Sequence, residues 1–349
     1  MVGNAAPWFV PWILRESTGT RHEIDRSQRR VTSMNQPGLP TLRIGTRGSR
    51  LARWQAEWIA DRLRASHPDL AVELVEIKTR GDRDRNSPLA AIGGTGLFTK
   101  EIQRAVLDGS VDLAVHSLKD LPTEGPDGLV LAAVPEREDV ADALIAPAFR
   151  TLDGLPPGAR VGTSSLRRRA QLLYVRPDLR VETVRGNVET RLNHALEGRL
   201  DAVVLAWAGL RRLGLEAHVT QRLEPPAFLP AVGQGALGIE CRRDDPAARE
   251  RLLCLDDPAT HRAVVAERSA LAALGGGCLI PMAAWGRDEA GTGRLALDAT
   301  VLDPDGRARV DAALDGPPDA PEELGRRVAD RLRAQGAEEL LSRKQRPDR

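Results

Sequence analysis

The chain predicts an α/β fold, and three observations point to it. A short apolar strand, a polar turn and an amphipathic helix recur along most of the sequence, the pattern of sheets covered by helices. The length of 349 residues can bury a large core and suggests two or three domains. Chemically interesting residues gather in the polar turns, and open α/β sheets bind ligands there, beyond the carboxyl ends of their strands.

The first unit runs from Leu42 to Thr46 and exits at Arg47. A helix follows with Leu51, Trp54, Trp58, Ile59 and Leu63 on one face, and Ser49 is its expected N-cap. The second unit, Val111 to Leu118, delivers Lys119 and Asp120 ahead of Pro122. In the third, Arg160 to Thr163 leads through Ser164 and Ser165 into a helix whose first turn holds Arg167, Arg168 and Arg169. A helix N-terminus favours anions, so arginines stacked there need a compensating anion or exposure to solvent. The fourth unit exits at Arg185, turns at Gly186 and caps a helix with Asn187, with Arg191 on its first turns. The fifth, Ala202 to Trp207, reaches Arg211 and Arg212.

Each arginine alone reads as a solvated surface charge. Their repetition at strand exits instead predicts that Arg47, Arg167, Arg168, Arg185 and Arg191 converge on one crevice. Guanidinium forks onto carboxylate or phosphate, so the expected ligand is a polyanion of modest size. The glycine-rich run Ile92 to Lys100 lacks both GxxxxGK[ST] and GxGxxG, so it reads as a mobile lid or as a plain surface loop rather than a nucleotide cradle.

Of three cysteines, only Cys278 follows a run of three glycines, Gly275 to Gly277. Val264, Val265, Leu271 and Leu274 stand at helical spacing before it. The glycines therefore end a helix and present the thiol on a mobile loop, the alternative being a packed thiol. Cys241, in the strand-like run from Leu237, and Cys254, after Leu252 and Leu253, both read as buried and inert.

Composition excludes several classes. Fifty basic against forty-nine acidic residues leave a charge of +1, so no global field recruits nucleic acid or a membrane surface. A nucleic-acid binder would also need stacking aromatics, and Tyr174 is the sole tyrosine. No apolar run approaches the roughly 20 residues that span a membrane. Cysteines without framework spacing fit a reducing cytoplasm. Six histidines without an HxxxH pair or cysteine neighbours predict no metal site. Residues 1–38 read as a disordered extension, with Met34 a candidate start.

Together Gly45-Thr46-Arg47-Gly48-Ser49, Lys78-Thr79-Arg80-Gly81-Asp82, Ala114-Val115-His116-Ser117-Leu118-Lys119-Asp120, Gly162-Thr163-Ser164-Ser165-Leu166-Arg167-Arg168, Arg185-Gly186-Asn187-Val188, Leu229-Pro230-Ala231-Val232-Gly233-Gln234-Gly235 and Gly275-Gly276-Gly277-Cys278 closely resemble the porphobilinogen deaminase (hydroxymethylbilane synthase) family. So many motifs in one order, from about Leu42 to the C-terminal region, are specific where any one alone is not.

The resemblance implies two lobes like those of periplasmic binding proteins, with a hinge and cleft, and a smaller α+β C-terminal domain. The implied boundaries are 39–138 plus 236–254 for a discontinuous first domain, 139–235 for the second and 255–349 for the third. Strands such as Arg294 to Leu302 and a final helix from Pro321 belong to the third. The implied activity is a transferase of tetrapyrrole biosynthesis, a cytoplasmic monomer, that joins four porphobilinogen molecules and releases ammonia at each addition. Its dipyrromethane cofactor would sit on Cys278 through a thioether. Asp120 would be catalytic, stabilising the cationic pyrrole and assisting proton transfer. Lys119, Ser165, Arg167, Arg168, Arg185 and Asn187 would bind the cofactor, and Arg47, Ser49, Arg191 and Arg212 the substrate carboxylates. One departure is Thr95, where many members carry lysine, which shifts lid closure to Lys100 or Arg83. The rival reading is a non-enzymatic carboxylate-binding protein on the same two-lobed fold, which explains the arginines but not Cys278.

Overall fold

The computed structural model describes residues 41–79, 81, 96, 99–276 and 280–342. The expectations for residues 1–38, Met34, Arg83, Thr95 and Cys278 lie outside the described residues.

The first sheet runs β2-β1-β3-β10-β4, built from β1 (Thr41–Thr46), β2 (Ala71–Glu76), β3 (Leu113–Ser117), β4 (Leu129–Ala133) and β10 (Leu237–Arg242). β1 pairs in parallel with β2 and β3, while β10 returns from far along the chain to lie antiparallel between β3 and β4. On one face packs α1 (Arg50–Ser66), burying Ala56, Ile59, Ala60 and Leu63 against Leu42, Ile44, Val115 and Ile239. On the other packs α2 (Lys100–Leu107), with Ile102 and Val106 against Val111 and Ala114. Covered on both faces, β3 is buried continuously from Leu113 to His116 rather than at alternate residues. The apolar face of α1 differs from the expectation in one respect. Trp54 and Trp58 lie at its edge, half-buried and stacked at 6.3 Å, with the Arg62 guanidinium 3.3 Å over Trp58.

The second sheet runs β7-β6-β8-β5-β9, from β5 (Asp142–Ile145), β6 (Arg160–Gly162), β7 (Arg180–Glu182), β8 (Ala202–Ala206) and β9 (Gln221–Leu223). α3 (Leu166–Val175), α4 (Val188–Leu196) and α5 (Trp207–Arg212) follow β6, β7 and β8. After α6 (Pro246–Leu252) comes an antiparallel sheet of β11 (Met282–Glu289), β12 (Arg294–Leu302) and β13 (Arg309–Gly316). Its core forms against α7 (Pro258–Ala273) and α8 (Pro321–Ala334), where Ala266, Ala270, Leu324 and Val328 meet Leu297 and Val301; α9 (Ala337–Ser342) follows. The α/β class with a smaller α+β part is borne out by these three sheets.

Two segments cross between the first and second sheets, residues 134–141 outward and 231–236 back. They touch where Glu138 N–H donates to Gly235 O at 3.3 Å. Gly235 has φ +86°, and a β-carbon there would collide with the Glu138 carbonyl, so only glycine permits the crossing. Gly233, at φ +71°, lies against the backbone of Leu118 and Lys119, where a β-carbon would stand 3.2 Å from Lys119 N.

Candidate active site

The carboxyl ends of the strands deliver the predicted groups. β3 ends in a 3-10 turn, Leu118–Asp120, anchored by the buried Leu118 and by its N–H donating to Ala236 O at 3.0 Å. Lys119 is half-buried, and Asp120 is exposed with no hydrogen bond or ion pair among the described residues. His116, from the same motif, points into the sheet, 3.1 Å from the buried Glu240, and is therefore part of the core rather than the site.

The expected caps are present. Ser49 accepts from Ala52 N at 3.3 Å, Ser165 from Arg168 N at 3.4 Å, and the Asn187 side-chain oxygen from Thr190 N at 2.8 Å. In capping, a serine oxygen accepts and its hydroxyl proton stays available, as does the amide NH2 of Asn187.

Arg191 donates through Nε to Gly186 O at 2.8 Å. Its pKa is pushed down to about 10, first by burial and then by repulsion from Arg168, Arg185 and Arg47, with attraction to Asp120 opposing. Lys119 is pushed down to about 8 by burial and by Arg168 and Arg167, against the pull of Asp120 and Asp142. Asp120 thus acts on both Lys119 and Arg191, and Arg47, Arg168 and Arg185 lie close enough to Arg191 to repel it. Arg212 sits nearer the crossing, donating to Gly235 O at 2.6 Å and lying 5.9 Å from the Trp54 ring. Burial lowers its pKa to about 10 against the pull of Glu138.

The structure corrects two expectations. Arg167 and Arg168 are buried, 3% and 6% exposed, so they are not open groups on a helix face. Asp142, at the start of β5, takes Arg167 Nη2 at 2.7 Å and Arg168 Nε at 2.9 Å on its two oxygens. Arg167 also donates to Leu229 O, and Arg168 to Val204 O and Gln234 Oε1. The anion that arginines at a helix N-terminus require is therefore Asp142. Burial alone would raise the Asp142 pKa, but the two guanidiniums outweigh it and hold the carboxyl below its ordinary range. The available signal was an acid opening the otherwise apolar run Asp142 to Ile145.

The second correction concerns Cys254. It is exposed, its Sγ 3.6 Å from His67 Nε2, because α6 ends on the buried Leu252 and the 3-10 turn after it, Leu253–Leu255, buries only Leu255. Cys241 is buried as expected, and desolvation pushes its thiol up to about 11, which keeps it inert.

Two family models match the chain: "Porphobilinogen deaminase, dipyromethane cofactor binding domain" over residues 42–250 and "Porphobilinogen deaminase, C-terminal domain" over 261–334. The chain is 51% identical over 300 residues to the porphobilinogen deaminase of Pelobacter propionicus, covering 86% of this chain and 96% of that one. It is 53% identical over 300 residues to that of Desulforudis audaxviator, with the same coverage. Among solved structures it is similar to the methionine binding protein MetQ, with a TM-score of 0.41 and 14% identity, over 62% of this chain and 88% of that one.

Proposed function

This chain belongs to the porphobilinogen deaminase family, and on that premise we propose which of its own groups carry out the reaction. The family polymerises porphobilinogen into the linear tetrapyrrole hydroxymethylbilane, in tetrapyrrole biosynthesis, with dipyrromethane as cofactor. Sheet membership supports a first domain of 39–138 with 236–254, a second of 139–235 and a third of 255–349. We take the enzyme to be a cytoplasmic monomer; among the described residues no helix is long and apolar enough to cross a membrane.

The donor set fits a polycarboxylate. Burial and mutual repulsion depress Lys119 and Arg191, and carboxylates of a bound pyrrole chain would relieve both. We assign the cofactor to Cys278, Lys119, Ser165, Arg185 and Asn187, above a floor of Arg167 and Arg168. With Asp142 that floor keeps one net positive charge, fixed in place by its own ion pairs. Arg47, Ser49, Arg191 and Arg212 take the carboxylates of incoming substrate, and Ser49 and Ser165 donate the hydroxyl protons their capping leaves over. When bound, dipyrromethane supplies the pyrrole on which the chain is started. Each addition forms one carbon–carbon bond, releases the aminomethyl nitrogen as ammonia and frees one proton from the attacking pyrrole carbon. Asp120 faces the positive charge that develops on the pyrrole nitrogen and passes the proton.

The observation that carries this reading is an exposed carboxylate on the turn that ends β3, with no hydrogen bond or ion pair among the described residues and with Lys119 and Arg191 within its electrostatic reach. Intact mass and ammonia release test it. Wild type carries an adduct of two pyrrole units, and Cys278→Ala lacks it. Asp120→Ala keeps the adduct but releases ammonia about 100-fold to 10,000-fold more slowly. Normal release from Asp120→Ala would move the chemistry to another residue, and a wild type without adduct would favour a mere carboxylate binder.

A further inference from the structure

Two neighbouring charged residues on α7 reach in different directions. Glu267, fully buried, accepts from Arg137 Nη1 at 2.7 Å and from the N–H groups of Gly233 at 2.6 Å and Gly286 at 2.8 Å, which ties the helix to the returning crossing segment. Arg268 reaches instead to the segment just after Asp120. Its Nη1 donates to Leu121 O at 3.0 Å, and its Nη2 to Pro122 O at 2.6 Å and Thr123 O at 3.3 Å. Residues 121–123 belong to no helix or strand, and among the described residues none of their carbonyls accepts from a backbone N–H. Buried or half-buried carbonyls need partners, and here one guanidinium fork supplies all three.

We infer that Arg268 is a positioning residue for Asp120, which its fork acts on by holding the three carbonyls that follow it. The turn carrying Asp120 is fastened on its entry side by β3 and the buried Leu118. On its exit side two things fasten it: the buried Leu121, whose N–H donates to Leu118 O at 3.1 Å, and the fork of Arg268, which alone among the described residues holds the carbonyls of residues 121–123. The Asp120 carboxylate itself is exposed and pinned by no hydrogen bond among the described residues, so its direction follows the backbone on both sides. Loosening the exit side redirects the carboxylate while leaving Arg191 and Arg185, which stand on α4 and on the loop leading into it, where they are. Only arginine can do this: a lysine ammonium is a point charge on a flexible stem and cannot span three successive carbonyls in one plane.

This inference rests on the Asp120 reading, and the experiment separates the two. Arg268→Met and Arg268→Lys are made in the holoenzyme and assayed for adduct mass, kcat and KM. Arg268→Met keeps the two-pyrrole adduct and a near-normal KM, and its kcat falls about 100-fold, the cost of roughly 1 Å of misplacement at a reacting group. Arg268→Lys falls between it and wild type, and serves alone if the methionine variant does not fold. The deciding arm is Arg268→Met, or Arg268→Lys, placed in Asp120→Asn: a residue acting through Asp120 costs little further there, whereas a general structural role costs the same again. An unchanged kcat in both Arg268 variants, or the full loss repeated in Asp120→Asn, overturns this inference alone. Turnover retained by Asp120→Asn by itself overturns the Asp120 reading and this inference with it.

Discussion

Replacing Asp142 by asparagine leaves the shape of its side chain nearly intact and removes one charge from beneath two buried arginines. Arg167 and Arg168 are then desolvated cations whose shared anion is gone, with Gln234 and the carbonyls of Leu229 and Val204 as their remaining acceptors. Removing one partner of a buried ion pair costs about 3–5 kcal/mol. At about 2–4 °C per kcal/mol for a protein body of this size, the melting temperature falls by roughly 6–20 °C. The pH dependence follows from the direction of the shift. The Asp142 carboxyl is held below its ordinary value, so its contribution is fully present above the ordinary carboxylate range and is lost as pH falls through the lower, folded value. Wild type and variant therefore differ most near neutrality and converge in acid. Melting followed by circular dichroism from neutral to acid pH, with adduct mass measured alongside, reads both effects. A variant melting within a degree of wild type at pH 7 would refute the account, because it would mean that the two guanidiniums are stabilised without Asp142.

Two further outcomes follow from the same geometry. Burial and the neighbouring arginines push the Lys119 amine down to about 8, and cofactor carboxylates would relieve that strain, so Lys119→Gln lowers the fraction of chains that intact mass shows carrying the two-pyrrole adduct; full adduct occupancy in the variant would exclude Lys119 from the cofactor set. Arg169 donates to Val181 O at 2.8 Å and lies 3.6 Å from Asp305 of the β12–β13 turn, so Arg169→Leu lowers the melting temperature while intact mass shows the adduct retained; loss of the adduct would place Arg169 in the binding set.

Much of the site was legible in the sequence because strand exits and helix caps are local. Ser49, Ser165 and Asn187 each hold the N-terminus of the helix expected of them, since a cap is decided by the side chain and the three residues after it. Asp120 and Lys119 stand where the apolar run of β3 ends, since a buried strand must give way to polar residues at its exit. Cys254 was misread for a related reason. A run of three apolar residues does not say which of them point inward, and here the helix end buries Leu252 and the following 3-10 turn only Leu255.

What the sequence by itself determined was the α/β class, the helix entries, the family and the placement of basic groups at strand exits, all of which rest on periodicity or on ordered short motifs. Only the tertiary structure decided how charge is shared among those groups. The pairing of Asp142 with Arg167 and Arg168, 25 and 26 residues on, and the reach of Arg268 to carbonyls 145 to 147 residues earlier follow from how separate elements pack. A guanidinium on a surface and one sealed against a carboxylate have the same letter in the sequence. Their solvation, and hence whether they bind a ligand or hold a floor, is set by neighbours that the chain brings together only when it folds.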